Sequence, residues 1–273
     1  MLLFARLAAL LIGVAPAWAW ALTLGVLPIH SPRTTVEIYE PLRAHLEQVL
    51  REPVRIESAP DYGTMHARML RGEFDLVVTA MHLGRIAQRD RRFIPLVQFQ
   101  PDTDAMLISS AERPLLNVGQ LRGKRLAVSS RLAIHTMVML KQLEKSRLSS
   151  PRDFRLIEYQ TQANVAQALL NGFSDAAIMN TRGLLTFSPE LRERLVILQQ
   201  TANLPGLVIL AKPKTSLARV NLLINELLAF AGQPAGLAFL NQEGFTGFRR
   251  ATNAVMKRAD PYVGLSRKTL KQK

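Results

Sequence analysis

Five short groups of residues in this 273-residue chain are of the types that bind a small solute through hydrogen bonds and charge. They are His30, Tyr62, Thr79 with His82, Ser129-Ser130-Arg131, and Asn180-Thr181-Arg182. Hydroxyls and amides donate and accept, and an arginine offers a planar fork that grips an oxyanion with two bonds at once. That inventory is a binding inventory. With no cysteine there is no thiolate nucleophile, disulfide or thiolate zinc site, and the five histidines show no HExxH spacing. We therefore expect no enzyme, no catalytic residue, no metal and no cofactor.

The elements that must position these groups are given by a repeat. Residues 65–82 contain ARMLRGEFDLVVTAMH, and residues 165–182 read VAQALLNGFSDAAIMNTR. In each, an amphipathic helical run ends at a glycine (Gly72, Gly172). An aspartate follows three residues later (Asp75, Asp175), and then a short apolar strand, Leu76–Val78 or Ala176–Met179. Glycine at the end of a helix takes the left-handed conformation that other residues avoid. Two such units, 100 residues apart, predict two α/β lobes. Ligands of open parallel sheets sit beyond the carboxyl ends of the strands. Thr79, Met81 and His82 follow the first repeated strand, Asn180, Thr181 and Arg182 follow the second, and His30 follows the first strand of the chain. Asp75 and Asp175 sit before their strands and are expected to be structural. Ser129 and Ser130 are predicted to open a helix running to Leu143, where free N–H groups and the helix dipole favour an anion and Arg131 adds its fork. His135, farther along that helix, is expected to be packed or solvated.

Hydrophobic residues make up 48% of the chain and charged residues 21%, a balance that buries a core. The first residues have another purpose. Arg6 precedes an apolar run from Leu7 to Val14, and Ala19-Trp20-Ala21 fits a small-x-small cleavage site. We expect residues 1–21 to be a signal peptide cleaved after Ala21, with export to a periplasm. The apolar run falls short of the roughly 20 residues that span a bilayer. The net charge of +14 becomes +13 without Arg6, which favours an acidic partner. Export and the lack of aromatics among the basic clusters argue against nucleic acid.

Taken in order, the chain predicts strands at Leu22–Leu27, Pro53–Glu57, Leu76–Val78 and Phe93–Phe99. Helices are predicted at 34–50, with Val36, Tyr39, Leu42, Leu46 and Leu50 on its apolar stripe, from Asp61 or Thr64 to Leu70, and to about Arg89. A strand at 104–109 follows, then a turn, a glycine stop and a strand within Asn117–Ser130, and strands at 155–159, 176–179, 196–198 and 204–211, with helices at 164–171, 217–230 and 236–241. Each lobe is then a mainly parallel sheet flanked by helices. Two crossing strands form a hinge, so that residues 22–106 and 207–273 make one lobe and 107–206 the other.

Several motifs resemble one family. They are Tyr39-Glu40-Pro41-Leu42, Asp61-Tyr62, Gly72-Glu73-Phe74-Asp75, Leu121–Val128, Gln167–Asp175, Leu204-Pro205-Gly206 and Gly244–Phe248. In order and spacing the mature chain resembles the periplasmic phosphonate/phosphate-type solute-binding proteins of ABC transporters, which have the type II periplasmic binding fold. The resemblance implies a monomer that closes two lobes on a phosphonate-, phosphate- or phosphite-like oxyanion and delivers it to an ABC permease. It implies a cleft role for Tyr62. Where the family carries a Ser-Thr-Ser helix start this chain reads Ser129-Ser130-Arg131-Leu132-Ala133-Ile134, and Gln160-Thr161-Gln162 stands in place of Gly-Ser-His. Other readings on the same fold are a ligand sensor that signals to a partner such as a histidine kinase, a scaffold that has lost its solute, and an enzyme.

Overall fold

The computed structural model describes residues 21–185 and 187–272, so the expected leader, apart from Ala21, lies outside the described residues. The first lobe begins as an alternating run: β1 (Leu22–Val26), α1 (Pro32–Leu50), β2 (Val54–Glu57), α2 (Tyr62–Leu70), β3 (Leu76–Ala80), α3 (Met81–Arg91) and β4 (Ile94–Gln100). Local chemistry sets the ends of these helices. The Ser31 hydroxyl accepts from the Thr34 amide and Pro32 occupies the first helical position, where its missing N–H costs nothing. The Asp61 carboxylate accepts from Gly63 and Thr64 and so starts α2. The buried face of α1 is Thr35, Ile38, Tyr39, Leu42 and Leu46, whereas Val36, expected on that stripe, is 47% exposed.

The chain leaves this sheet at residues 101–102 and enters a second one. That lobe comprises β5 (Thr103–Ser110), β6 (Arg125–Val128), α4 (Ile134–Lys145), β7 (Arg155–Glu158), α5 (Gln162–Leu170), β8 (Ala176–Met179), the short α6 (Thr181–Leu185) and α7 (Pro189–Glu193), and β9 (Leu195–Leu204). It returns at 205–206 into β10 (Leu207–Ala211), α8 (Leu217–Phe230), α9 (Pro234–Gln242), β11 (Gly247–Arg250), α10 (Asn253–Lys257) and α11 (Asp260–Leu270). β11, α10 and α11 are additional to the elements expected from sequence.

The strand order is β11-β4-β10-β3-β1-β2 in the first sheet and β7-β6-β8-β5-β9 in the second. β1 pairs in parallel with β2 and β3, and β6 with β7 and β8. The strands that carry the chain between lobes run the other way. β10 lies antiparallel between β3 and β4, and β5 antiparallel between β8 and β9. Each sheet is thus mixed, with most strands sharing one direction: β10 and the edge strand β11 run against the others in the first, and β5 alone in the second.

Packing follows from the two faces of each sheet. In the second, Met106, Ile108, Ala127, Ala177 and Met179 join one apolar cluster, and Ala105, Leu107, Leu126, Ala176 and Ile178 join the opposite one. Successive residues of a strand point to opposite faces, so a sheet covered on both sides reads as an unbroken apolar run. The first lobe has one large core, which also takes in Leu132 and Ala133 from the second lobe. α11 packs on α3 and reaches α4, where the Ser266 hydroxyl lies 3.9 Å from the Met137 sulfur.

That inter-lobe packing explains a correction. The helix expected to open at Ser130 starts at Ile134 instead. Leu132 (0% exposed) and Ala133 (2%) are drawn into the first lobe's core. The Ser130 hydroxyl and carbonyl accept from the Leu132 and Ala133 amides, which bends the segment into a turn before α4. β3 and β9 also extend beyond the expected spans, to Ala80 and over Leu195–Leu204.

Candidate functional site

A cavity of about 560 Å³ lies between the lobes. From the first lobe come Ile29, His30, Ile38, Tyr62, Glu243 and Phe245, and from the second His135, Gln162, Asn180 and Arg182. Thr103, at the first crossing, and Pro205-Gly206, at the second, close its hinge side. The wall therefore draws on both lobes and both connections, as a cleft that shuts on a ligand requires.

Arg182 is the dominant charge. It stands in the first turn of α6, just beyond the carboxyl end of β8. Its guanidinium lies 4.5 Å from the centroid of the Phe245 ring, across the lobe boundary, a cation–π arrangement. Its Nη1 donates to the Asp102 carbonyl at 3.4 Å. Among the described residues no carboxylate lies within ion-pair distance of it. Burial pulls its pKa below the ordinary arginine value, with Asp104 and Glu243 opposing from farther off. Arginine stays charged throughout, so the cleft wall holds a half-buried cation whose opposing carboxylates, Asp104 and Glu243, stand beyond ion-pair distance.

Two buried polar atoms of this wall lack hydrogen-bond partners among the described residues. Among the described residues nothing meets the Nε2 of the His135 side chain, 4% exposed, and the Thr103 hydroxyl, at 5%, is likewise unpaired. Buried polar atoms are nearly always hydrogen-bonded; of the seven unpaired ones among the described residues, these two belong to residues that line the cavity. His135 sits in the first turn of α4, which begins without a side-chain cap at Ala133. The first-turn residues Ile134 and His135, whose amides have no intrahelical acceptor, line the cavity. Burial, aided by Arg182 and His82 and opposed by Asp104, pushes the His135 imidazole down to about 4, so near neutrality it is uncharged.

Other wall residues are held by one another. The Gln162 amide donates to Asn180 Oδ1 at 3.1 Å, and Gln162 Oε1 accepts from the Asn180 backbone at 3.2 Å. This link ties the start of α5 to the end of β8. His30 Nε2 and Glu243 Oε2 lie 2.9 Å apart. Tyr62 is 8% exposed, and burial raises its phenol pKa, as it does that of Tyr39 behind it. Both remain neutral hydroxyls near Arg182.

Of the residues singled out from sequence, the structure brings His30, Tyr62, Asn180 and Arg182 to this wall. The others have different surroundings. Thr79 lies within β3 at 1% exposure, because that strand continues past Val78. His82 is fully buried, and its Nε2 lies 3.0 Å from the Leu132 carbonyl of the other lobe. Arg131 points outward into an ion pair with Glu158 at 2.9 Å, and Ser130 is spent on the turn before α4. Ser129 precedes that turn and is not among the lining residues. Thr181 is exposed, its amide and hydroxyl both bound to the Asp104 carboxylate. Asp75 and Asp175 lie at the opposite ends of their strands, as expected of structural groups. Sequence reasoning missed Thr103, Gln162, Glu243 and Phe245 as wall residues, and set His135 aside. The nearest signal was spacing: Gln162 and His135 each fall in the first turn after a strand of the second lobe.

Among the described residues no group of histidines and carboxylates could hold a metal ion. Residues 24–256 match the family described as ABC transporter, phosphonate, periplasmic substrate-binding protein. A Prochlorococcus marinus protein solved in complex with methylphosphonate superposes with a TM-score of 0.80 at 13% identity, over 91% of this chain and 98% of that one. A binding protein component of an ABC phosphonate transporter from Pseudomonas aeruginosa gives 0.77 at 14% identity, over 92% and 96%. A Xanthomonas citri protein solved with chloride ion gives 0.76 at 20%, over 93% and 99%. A search of curated protein sequences returns no match. The two sheets, their helices and the hinge are those of the type II periplasmic binding fold. With most of its length matched, the chain belongs to the phosphonate-type periplasmic substrate-binding proteins of ABC transporters.

Proposed function

We propose that the mature protein, residues 22–273, binds a small oxyanion in the inter-lobe cleft and carries it to an ABC permease, without catalysing a reaction on it. The supporting observation is Arg182, a half-buried guanidinium in the cleft wall with no carboxylate at ion-pair distance among the described residues. An anion placed there regains the charge pairing that folding withholds. Because the wall comes from both lobes, a solute that touches both favours their closed arrangement, and only that differential contact drives closure. We take residues 1–21 as the leader removed on export, and the carrier as a monomer.

The test is thermal unfolding of residues 22–273 against methylphosphonate, phosphate, phosphite, sulfate, methanesulfonate and simple carboxylates. A bound solute at 100 times its dissociation constant adds about 2.7 kcal/mol of stability, a shift of several degrees in a protein of this size. We expect one oxyanion to give that shift and Arg182→Ala to abolish it. A shift given only by uncharged or cationic compounds overturns the anion assignment.

A further inference from the structure

The His135 ring is packed but unpaired at Nε2 among the described residues. It lies in the first turn of a 12-residue helix that has no side-chain cap, on the same wall as Arg182. We propose that His135 is a contact residue for the anion and becomes an imidazolium when the anion binds, so that each solute enters the cleft together with one proton. This rests on the anion reading above.

The charges around the ring account for both states. Asp104 on β5 favours its protonation, while Arg182 on α6 and His82 on α3 oppose it. From α11 the contact with α4 is through Ser266, which is uncharged. With the cleft free of anion, burial and the neighbouring guanidinium keep the ring neutral, with a pKa near 4. An anion seated between Arg182 and His135 cancels the first repulsion and supplies an acceptor for the ring N–H, both of which favour the charged form. The proton comes from solvent and returns to it on release. No bond other than a hydrogen bond is made or broken.

Linkage gives the expected readout. Between the free and bound pKa values of one such group, affinity rises about tenfold for each unit the pH falls. Methylphosphonate titrates on its own account, so the comparison is between wild type and His135→Gln, in which the ligand's contribution cancels. Calorimetry at pH 6 in two buffers of different ionisation enthalpy should give close to one more proton taken up by the wild type than by the variant. A second measurement needs no variant: in histidine labelled with ¹⁵N, one buried ring should change from the neutral to the imidazolium pattern on saturation with methylphosphonate. Equal proton uptake in the two proteins, or five rings whose protonation does not change, overturns the proposal. If binding depends on Arg182 yet shows neither signature, the role of His135 falls and the anion reading stands. If methylphosphonate, phosphate and methanesulfonate all fail to bind the wild type, both fall together.

Discussion

The two copies of the helix–glycine–aspartate–strand unit agree at one end and part company at the other. At the amino ends of β3 and β8 they are built alike. Asp75 Oδ2 accepts from the Thr23 amide of β1 at 2.8 Å, and Asp175 Oδ2 accepts from the Arg125 amide of β6 at 2.9 Å. Each carboxylate also takes a cation, Lys212 at 2.5 Å or Arg125 at 3.0 Å. At the carboxyl ends, β3 runs on into buried Thr79 and Ala80 and the enclosed His82, whereas β8 stops and turns Asn180 and Arg182 into the cleft. The shared end holds neighbouring strands in register, and the divergent end places a charge where a solute can reach it. One lobe's copy is packing, apart from Ala80 at the cavity, and the other's lines the cavity with polar groups.

Breaking the divergent end should have the largest effect and spare the fold. Arg182→Ala is expected to weaken binding of the active oxyanion about 100-fold or more, since a desolvated charge-assisted contact is lost. Its unfolding temperature without ligand should stay close to wild type. Equilibrium titration and melting of the same samples check both halves. Breaking the shared end should do the reverse. Asp75→Ala and Asp175→Ala each leave a strand amide without its acceptor, at a cost of about 1–3 kcal/mol in denaturant unfolding, while affinity at saturation of the folded protein is retained.

The glycines sharpen the comparison. Gly72 and Gly172 have φ of +77° and +75°, a conformation costing an alanine about 1–2 kcal/mol. A Cβ on Gly72 meets nothing within 4 Å, but on Gly172 it would displace the Arg113 guanidinium, which donates to the Leu169 carbonyl at 3.2 Å. Gly172→Ala should therefore be the more destabilising of the two in parallel urea titrations, by roughly the value of one hydrogen bond, about 1 kcal/mol. A smaller effect lies in acid. The Arg125 side chain holds the Asp175 carboxyl below its ordinary pKa. Its stabilisation is present above the unfolded value near 3.9 and is lost as pH falls through the lower folded one. The stability gap between wild type and Asp175→Ala should narrow steadily from pH 5 to pH 2.

Fold and site were legible in the sequence to different depths. The repeat, its glycines and its aspartates were readable because each rests on local backbone geometry and a fixed spacing. The start of α4 was not, because it depends on Leu132 and Ala133 packing into the other lobe, a contact with no local trace. The same holds for His82, whose partner is the carbonyl of Leu132, 50 residues on. Arg182 was found because it follows a strand end, where open sheets place ligands. Glu243 and Phe245 were missed because they reach the cleft from the last third of the chain, at the end of α9, where only the assembled lobe brings them round to His30 and Arg182.

The measurement that tests the anion-carrier account most directly is a crystal structure of residues 22–273 grown with methylphosphonate. The account predicts electron density for the phosphonate between the lobes, with its oxygens within hydrogen-bond distance of the Arg182 guanidinium and contacts from both lobes. Methylphosphonate bound to one lobe only, away from Arg182, or with the cleft left empty, would contradict it.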